Sequence, residues 1–289
     1  MSAMLSKRLR STFRAGQGHA RLLLKSKKLL VSVVAVVLFT LLGVFGPFFV
    51  VDPLEYTGKM YEAPSWAHLL GTDVYGRDIF SQLLYGIRNT MLVGVIAGTI
   101  GLLIAIVLGG FSGYVGGLAG ESINALANIF LVIPAVPLLI VFSALVKQRS
   151  LFLVAIFIAI ITSWPGTTRA IRAQVMSLRE KEFVNLARIT GKKTRQIVFG
   201  EIFSNMISYI SLQFCGAFAS AIITEAGLSL LGLGPTTVVT LGMMLHWAIQ
   251  SLAQQLGIWW WLVPPGLVLT VLSAALYTIS SLIDEVKQD

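Results

Sequence analysis

Polar and apolar positions along this chain fall into long blocks rather than short periods. Apolar runs fill 29–50, 90–111, 123–146, 150–168, 207–233 and 258–283. Each is close to the ~20 residues that a helix needs to cross the hydrocarbon of a bilayer. The pattern predicts an all-α integral membrane protein with six transmembrane helices. Only a few residues, Lys147 and Arg149 among them, separate the third run from the fourth, which predicts a tight hairpin. Gly109-Gly110, Pro134, Pro137 and Pro264-Pro265 interrupt the runs. A helix bundle tolerates such breaks because neighbouring helices satisfy the freed backbone groups.

The polar segments between the runs are unequal. In 52–89, Ile79, Phe80, Leu83, Leu84 and Ile87 recur at helical spacing, predicting a helix that lies along the interface or begins the second span. Segment 112–122 is short and glycine-rich, and 234–257 places Leu241, Leu245, Ala248 and Leu252 on one helical face with Gln250 and Gln254 opposite. Segment 169–206 is helical in pattern almost throughout. Trp259-Trp260-Trp261 opens the last run, where an aromatic belt at the membrane–water boundary is expected.

Composition agrees with the pattern: 56% of the 289 residues are hydrophobic and 12% charged, half the charged share of a typical soluble domain. The net charge of +9 would suggest nucleic acid in a soluble protein, but its distribution marks topology instead. Eight Lys or Arg lie in 1–28, eight in 169–206 and one at Lys287, which is 17 of the 22. With six spans these all fall on one side, so the excess of basic residues on cytoplasmic segments selects cytoplasmic N- and C-termini. The first run is too long for a signal-peptide core and ends in Gly46-Pro47-Phe48-Phe49 without a small-residue cleavage site, so it is expected to stay as a span. The resulting division is a basic tail 1–28, a first helix 29–50, an outer segment 51–89, a five-helix core 90–283 carrying the cytoplasmic segment 169–206, and a tail 284–289.

The residues offer little catalytic chemistry. Cys215 is the single cysteine, which excludes an internal disulfide. His19, His68 and His246 have no ligand-like spacing, and neither a zinc-protease motif nor a nucleophile elbow occurs. Gly191-Lys192-Lys193 has Leu186 where a phosphate-binding loop needs its first glycine, so no nucleotide or metal cofactor is expected in this chain. Glu225 is the one ionisable residue within a run. It either holds structure, by pairing with Arg77 or Arg88 or by bonding loop backbone, or serves a gate or pathway. Asp73 and Asp78, beside Arg77, could form a cation loop or cap a helix.

The most specific feature is an elbow at 182–192. Phe183, Val184, Leu186, Ala187 and Ile189 give a short helix an apolar face, Arg188, Lys192 and Lys193 keep it soluble, and Thr190-Gly191 ends it. A second helical stretch, Thr194 to Asn205, returns to the bilayer. Such an element is either an ordinary loop or a docking surface.

Trp164-Pro165, Arg169, Arg172, Leu178-Arg179-Glu180, Phe183, Ala187-Arg188 and Gly191 resemble the cytoplasmic signature of ATP-binding-cassette importer permeases, closest to the dipeptide, oligopeptide and nickel family. Gly71-Thr72-Asp73, Gly76-Arg77-Asp78, Leu84-Tyr85-Gly86 and Arg88 resemble a second hallmark of that family, as do Thr224-Glu225-Ala226, Leu228-Ser229, Leu231-Gly232-Leu233-Gly234 and Trp260-Trp261 with Pro265-Gly266-Leu267. Together they are similar to the C-type member of a permease pair. Asn185 and Leu186 stand where the signature carries Glu and Ala. The resemblance implies a type I importer permease bundle in a prokaryotic cell membrane. Its expected partners are a second homologous permease, two cytosolic ATPases that bind ATP and Mg, and an extracytoplasmic binding protein. It assigns ATPase coupling to Glu182, Phe183, Asn185, Leu186, Ala187, Arg188 and Gly191, and an outer gate or structural role to Asp73, Arg77, Asp78 and Glu225. Short peptides are the expected cargo, with oligosaccharides or nickel chelates as alternatives. A secondary transporter is the alternative class, against which the ion-poor spans argue.

Overall fold

The computed structural model describes residues 26–285, with side chains to Ser281. The expectations for most of the basic tail and for the last residues lie outside this range. The described residues are helical, with no strand among them and two isolated bridges, Tyr56 to Arg77 and Thr72 to Asp78. Helix α1 spans Lys27–Phe45 and ends in a 3-10 turn, Gly46–Phe49. Helix α2 spans Ile79–Val115. Helices α3 (Gly117–Val132) and α4 (Ala135–Leu145) follow. Next come α5 (Leu151–Ile158), a π turn at Ala159–Ser163 and α6 (Trp164–Arg179). Helix α7 is the short Glu182–Ile189, and α8, α9 and α10 are Ile207–Leu230, Leu241–Gln250 and Trp259–Glu285.

Five helices are long and apolar enough to cross a membrane, and the pair α3–α4 makes a sixth crossing if counted as one broken span bent by 80°. The break falls where Ile133 takes an extended conformation before Pro134. Proline disfavours helical backbone in the residue before it and offers no amide hydrogen. The sequence expectation of one continuous third span thus becomes two helices at a steep angle.

The helical spacing at 79–87 belongs to the second span itself. Its 37 residues extend to about 55 Å, well beyond the ~30 Å of hydrocarbon, so its ends project. The glycine-rich 112–122 is a near-continuous helix, broken only where Gly116 and Gly117 take φ of 66° and 58°.

Helix α2 is the spine of the bundle. Its glycines form a seam: a methyl group added at Gly101 would stand 2.5 Å from Cβ of Ser163, and one at Gly109 2.7 Å from the Thr168 carbonyl. Further along, Gly94 and Gly98 receive Phe218, and Gly113 receives Val175. Small residues of this kind let membrane helices approach backbone to backbone, where dispersion and packing replace the hydrophobic drive.

Three apolar clusters lie along the spine. At the end carrying the 51–78 loop, Ile79, Leu83 and Ile87 pack with Leu241, Met244 and Trp261. Midway, Val93 and Ala97 meet Leu139, Val154, Ile158 and Ala221. At the far end, Ala105 joins Ile171, Val175, Val184, Ala187, Ile202 and Phe203. Trp261 is wholly buried, which corrects the aromatic-belt expectation for that residue. Trp259 is 58% exposed.

Candidate functional site

Three constructions stand out along the bundle: the elbow, a polar cavity and a latched loop. The elbow is α7. Lys181 leads into it with extended backbone, and Gly191 closes it at φ 75°. Lys192 N–H donates to the Ala187 carbonyl and Gly191 N–H to that of Arg188, the paired bonds of a Schellman stop. Its apolar residues divide between two faces. Val184 and Ala187 are buried and Phe183 packs beside them, against Ile171, Val175, Ile197 and Ile202. Leu186 and Ile189 are 64% and 83% exposed. The expectation of one solvent-facing apolar surface is therefore corrected, because half of it mounts the elbow on its own chain.

The exposed side carries Glu182, Asn185, Leu186 and Ile189, the i, i+3, i+4, i+7 spacing of one helix face. Arg188 is exposed and lies against Tyr114, with Nε 3.4 Å from the Tyr114 hydroxyl, its guanidinium over that ring and Nη1 donating to Asn185. Arg179 donates to the Tyr114 carbonyl, and Arg172 pairs with Glu121 at 2.5 Å. These contacts fix α6 and α7 to α2 and α3. The stretch 194–205 is helical as expected but widened by a π segment at Ile197–Ile202.

The cavity lies between the π turn, α6, α8 and α10 and has a volume of about 290 Å³. Thr162 and Ser163 of the π turn, Thr167 of α6, Gln213 and Ser220 of α8 and Tyr277 of α10 line it. The threonines and Ser163 return their hydroxyls to backbone carbonyls within their own helix. Gln213 is half-buried inside an apolar span. Such an amide in a membrane is expensive without a partner, and a polar path is the setting that suits it. Gln213 is a polar interruption of the run 207–233, a signal that a count of charges does not register.

The latch closes the opposite end. Glu225 is fully buried, and its Oε1 accepts from the Ser229 hydroxyl at 2.5 Å and from Thr240 at 2.7 Å. Neither Arg77 nor Arg88 reaches it, which corrects the pairing expectation. Arg77 instead stacks on Tyr56 and Tyr75, with 5.4 and 4.5 Å to the ring centres. Thr240 also caps α9 through Met243 N–H. The Thr90 hydroxyl accepts from Leu241 N–H, and the Asn89 amide donates to the Val239 carbonyl. Arg149, read in the sequence only as a hairpin charge, donates to the carbonyls of Ser143, Val146, Gly232 and Gly234. One guanidinium thereby fastens the α4–α5 turn to the loop after α8.

Asp78 caps α2 by accepting from Ser81 N–H at 2.7 Å, and its other oxygen lies 3.1 Å from His68 Nδ1. Asp73 accepts from the backbone of Tyr75 and Arg77 and from the Gln82 amide. Both carboxylates are committed to the fold of the 51–78 loop, and among the described residues there is no group of three or more His, Cys, Asp or Glu fit to hold a metal ion.

Comparison with known proteins places these constructions in context. Residues 101–286 match the model of binding-protein-dependent transport system inner membrane components. Over 229 residues the chain is 34% identical to the oligopeptide transport system permease protein OppC of Bacillus subtilis, covering 78% of this chain and 74% of that protein. It is 35% identical to the dipeptide transport system permease protein DppC of Alkalihalophilus pseudofirmus, over 73% of this chain and 69% of that one. The permease OppC of Mycobacterium tuberculosis is 32% identical, and there the chain spans 62% of the relative's length.

Proposed function

The chain belongs to the family of binding-protein-dependent transport system inner membrane components, and from that premise we propose that it builds half of a translocation path for short peptides. It is a multi-pass permease subunit of an ATP-binding-cassette importer of the plasma membrane. The peptide cargo rests on the names of the relatives, which are oligopeptide and dipeptide permeases. The other half of the path comes from a second, homologous permease. Two cytosolic ATPases hold ATP and Mg, and an extracytoplasmic binding protein delivers cargo. Both termini and α7 face the cytosol, in keeping with the basic-residue bias.

The observation that carries this reading is the mounting of α7. A short helix with one buried face and one exposed stripe of Glu182, Asn185, Leu186 and Ile189 is rigid enough to transmit a push and apolar enough to bind what pushes. ATP-driven closure of the ATPases would move α7 and, through α6, the wall of the polar cavity, switching the path between two openings.

Reconstitution tests the proposal. ATP hydrolysis is expected only with the ATPases present, and import only when the second permease and the binding protein are added. Unlabelled di- and oligopeptides should compete for uptake, whereas cello-oligosaccharides and nickel chelates should not. Uptake or ATP hydrolysis by this purified chain alone would overturn it.

A further inference from the structure

Between α1 and α2, at the end of the bundle that carries the 51–78 loop, runs an open apolar groove of about 380 Å³. Gly43, Val44 and Phe48 form one wall, and Leu92 and Val95 the other, with Arg88 beside them. Gly43 makes the groove narrow at its base: a methyl group there would stand 3.2 Å from Cα of Arg88. The flanks are open, with Val44 50%, Phe48 78%, Leu92 41% and Val95 40% exposed.

Arg88 is the odd member. It is exposed, and among the described residues its guanidinium has no hydrogen bond, ion pair or ring contact. Among the described residues no acid pairs with it: Asp73 is held by backbone and Gln82, Asp78 by Ser81 and His68, Glu225 by Ser229 and Thr240, Glu62 by Lys59 N–H and His68, Asp52 by Leu54 N–H, and Glu55 is exposed to solvent. Arg88 sits two residues before the apolar run 90–111, which is headgroup level. Water alone would satisfy it, as it does for many arginines that snorkel. An arginine that snorkels for solubility alone needs no apolar channel leading from it into the bilayer, and this one has such a channel.

We propose that the groove between α1 and α2 is a binding site for an anionic phospholipid, its phosphate held by Arg88 and one acyl chain laid along Val44, Leu92 and Val95. The guanidinium presents a planar fork of donors that matches two phosphate oxygens. A net-anionic headgroup is selected because no described carboxylate pairs with Arg88 and competes for the cation. The apolar walls supply the grip, and the cation supplies the choice of headgroup.

The test uses the full-length chain in the complex in which it purifies, returned to vesicles of phosphatidylcholine. Trace phosphatidylglycerol or phosphatidylcholine bearing a photoreactive diazirine on the acyl chain is added, and labelled peptides are mapped. The phosphatidylglycerol probe should label the 40–48 and 88–95 segments roughly five-fold more than the phosphatidylcholine probe, the factor expected for one basic residue at an anionic lipid. Arg88→Gln should bring the two probes to parity, while Arg88→Lys keeps most of the preference. Val95→Trp, which fills the groove, should lower labelling by both probes. Equal labelling of wild type by the two probes, or a preference that survives Arg88→Gln, would overturn the proposal. So would the absence of lipid labelling together with a disulfide cross-link from Leu92→Cys to the second permease, because the groove would then be a protein interface.

Discussion

The carboxylate of Glu225 and the hydroxyl of Thr240 meet at 2.7 Å across fifteen residues of chain, and together with the Thr90 and Asn89 bonds this contact holds α9 in place. Thr240 uses the same hydroxyl to cap α9, so the buried acid, the cap and the helix form one unit.

Glu225→Ala should leave the Ser229 and Thr240 hydroxyls buried without an acceptor, a loss of about 1–3 kcal/mol. Hydrogen exchange should quicken over 231–250 and little elsewhere. Glu225→Gln keeps an acceptor oxygen and should exchange closer to wild type. Equal protection of 231–250 in wild type and Glu225→Ala would show that the acid does not hold the latch.

The split faces of α7 separate docking from folding. Leu186→Asp and Ile189→Asp lie on the exposed stripe and should change stability by no more than about 0.5 kcal/mol. Both should lose ATPase co-purification. Ala187→Asp puts a charge into the chain's own core, at a cost on the order of several kcal/mol, and should lower expression before docking can be measured. Thermal unfolding in detergent, read beside the pull-down, distinguishes the two.

At Gly191 only the backbone is at stake, since a methyl group there would meet nothing within 4 Å. Gly191→Val must hold a β-branched residue at φ 75°, a strain of roughly 1–3 kcal/mol. The variant should keep its ATPases while ATP hydrolysis becomes uncoupled from uptake. Gly191→Asn, which tolerates that conformation, should restore coupling. Equal uptake by Gly191→Val and wild type would remove the role assigned to the stop.

Arg149→Lys should not substitute for arginine. A single ammonium cannot reach four carbonyls, whereas the guanidinium reaches those of Ser143, Val146, Gly232 and Gly234. A cysteine at Thr236, in a Cys215→Ala background, should react several-fold faster with an impermeant maleimide in Arg149→Lys than with Arg149 intact. Unchanged reactivity would mean the loop is held by other contacts.

Gly109→Val tests the spine. Its side chain would begin 2.7 Å from the Thr168 carbonyl and must push α6 away from α2. Overpacking of this kind is worth about 1–3 kcal/mol, visible as a lowered midpoint of thermal unfolding. Gly166→Ala, with open space around it, should unfold within error of wild type.

What could be read from the sequence were the features that one segment determines by itself. Apolar runs located the spans, and Ile79, Leu83 and Ile87 gave away the helical start of α2. Gly191 marked the stop of α7. Features set by two distant segments were out of reach. Nothing near Glu225 in the chain says that Thr240 will arrive above it, and Arg149 finds its carbonyls 83 and 85 residues on. Trp261 reads as a boundary residue until α2 and α9 close over it. The inward turn of Val184 and Ala187 likewise depends on Ile171 and Ile202, which helical periodicity inside 182–189 cannot see.

Helix α6 has a consequence of its own. Its 16 residues make a rod about 24 Å long, set against the α2 seam at Gly109 and Gly113 and held at Arg172 by Glu121. One end of the rod begins at the cavity wall, beside Thr162 and Thr167, and the other hands over to α7. A rod has no preferred direction of signalling: a cargo that shifts the cavity end must shift the elbow end. Coupling free energy between two sites is the same read from either side. On the proposed function, peptide lodged beside Gln213 should therefore alter the affinity of an ATPase for the Leu186 and Ile189 stripe, by the same factor with which the ATPase alters the peptide's own affinity.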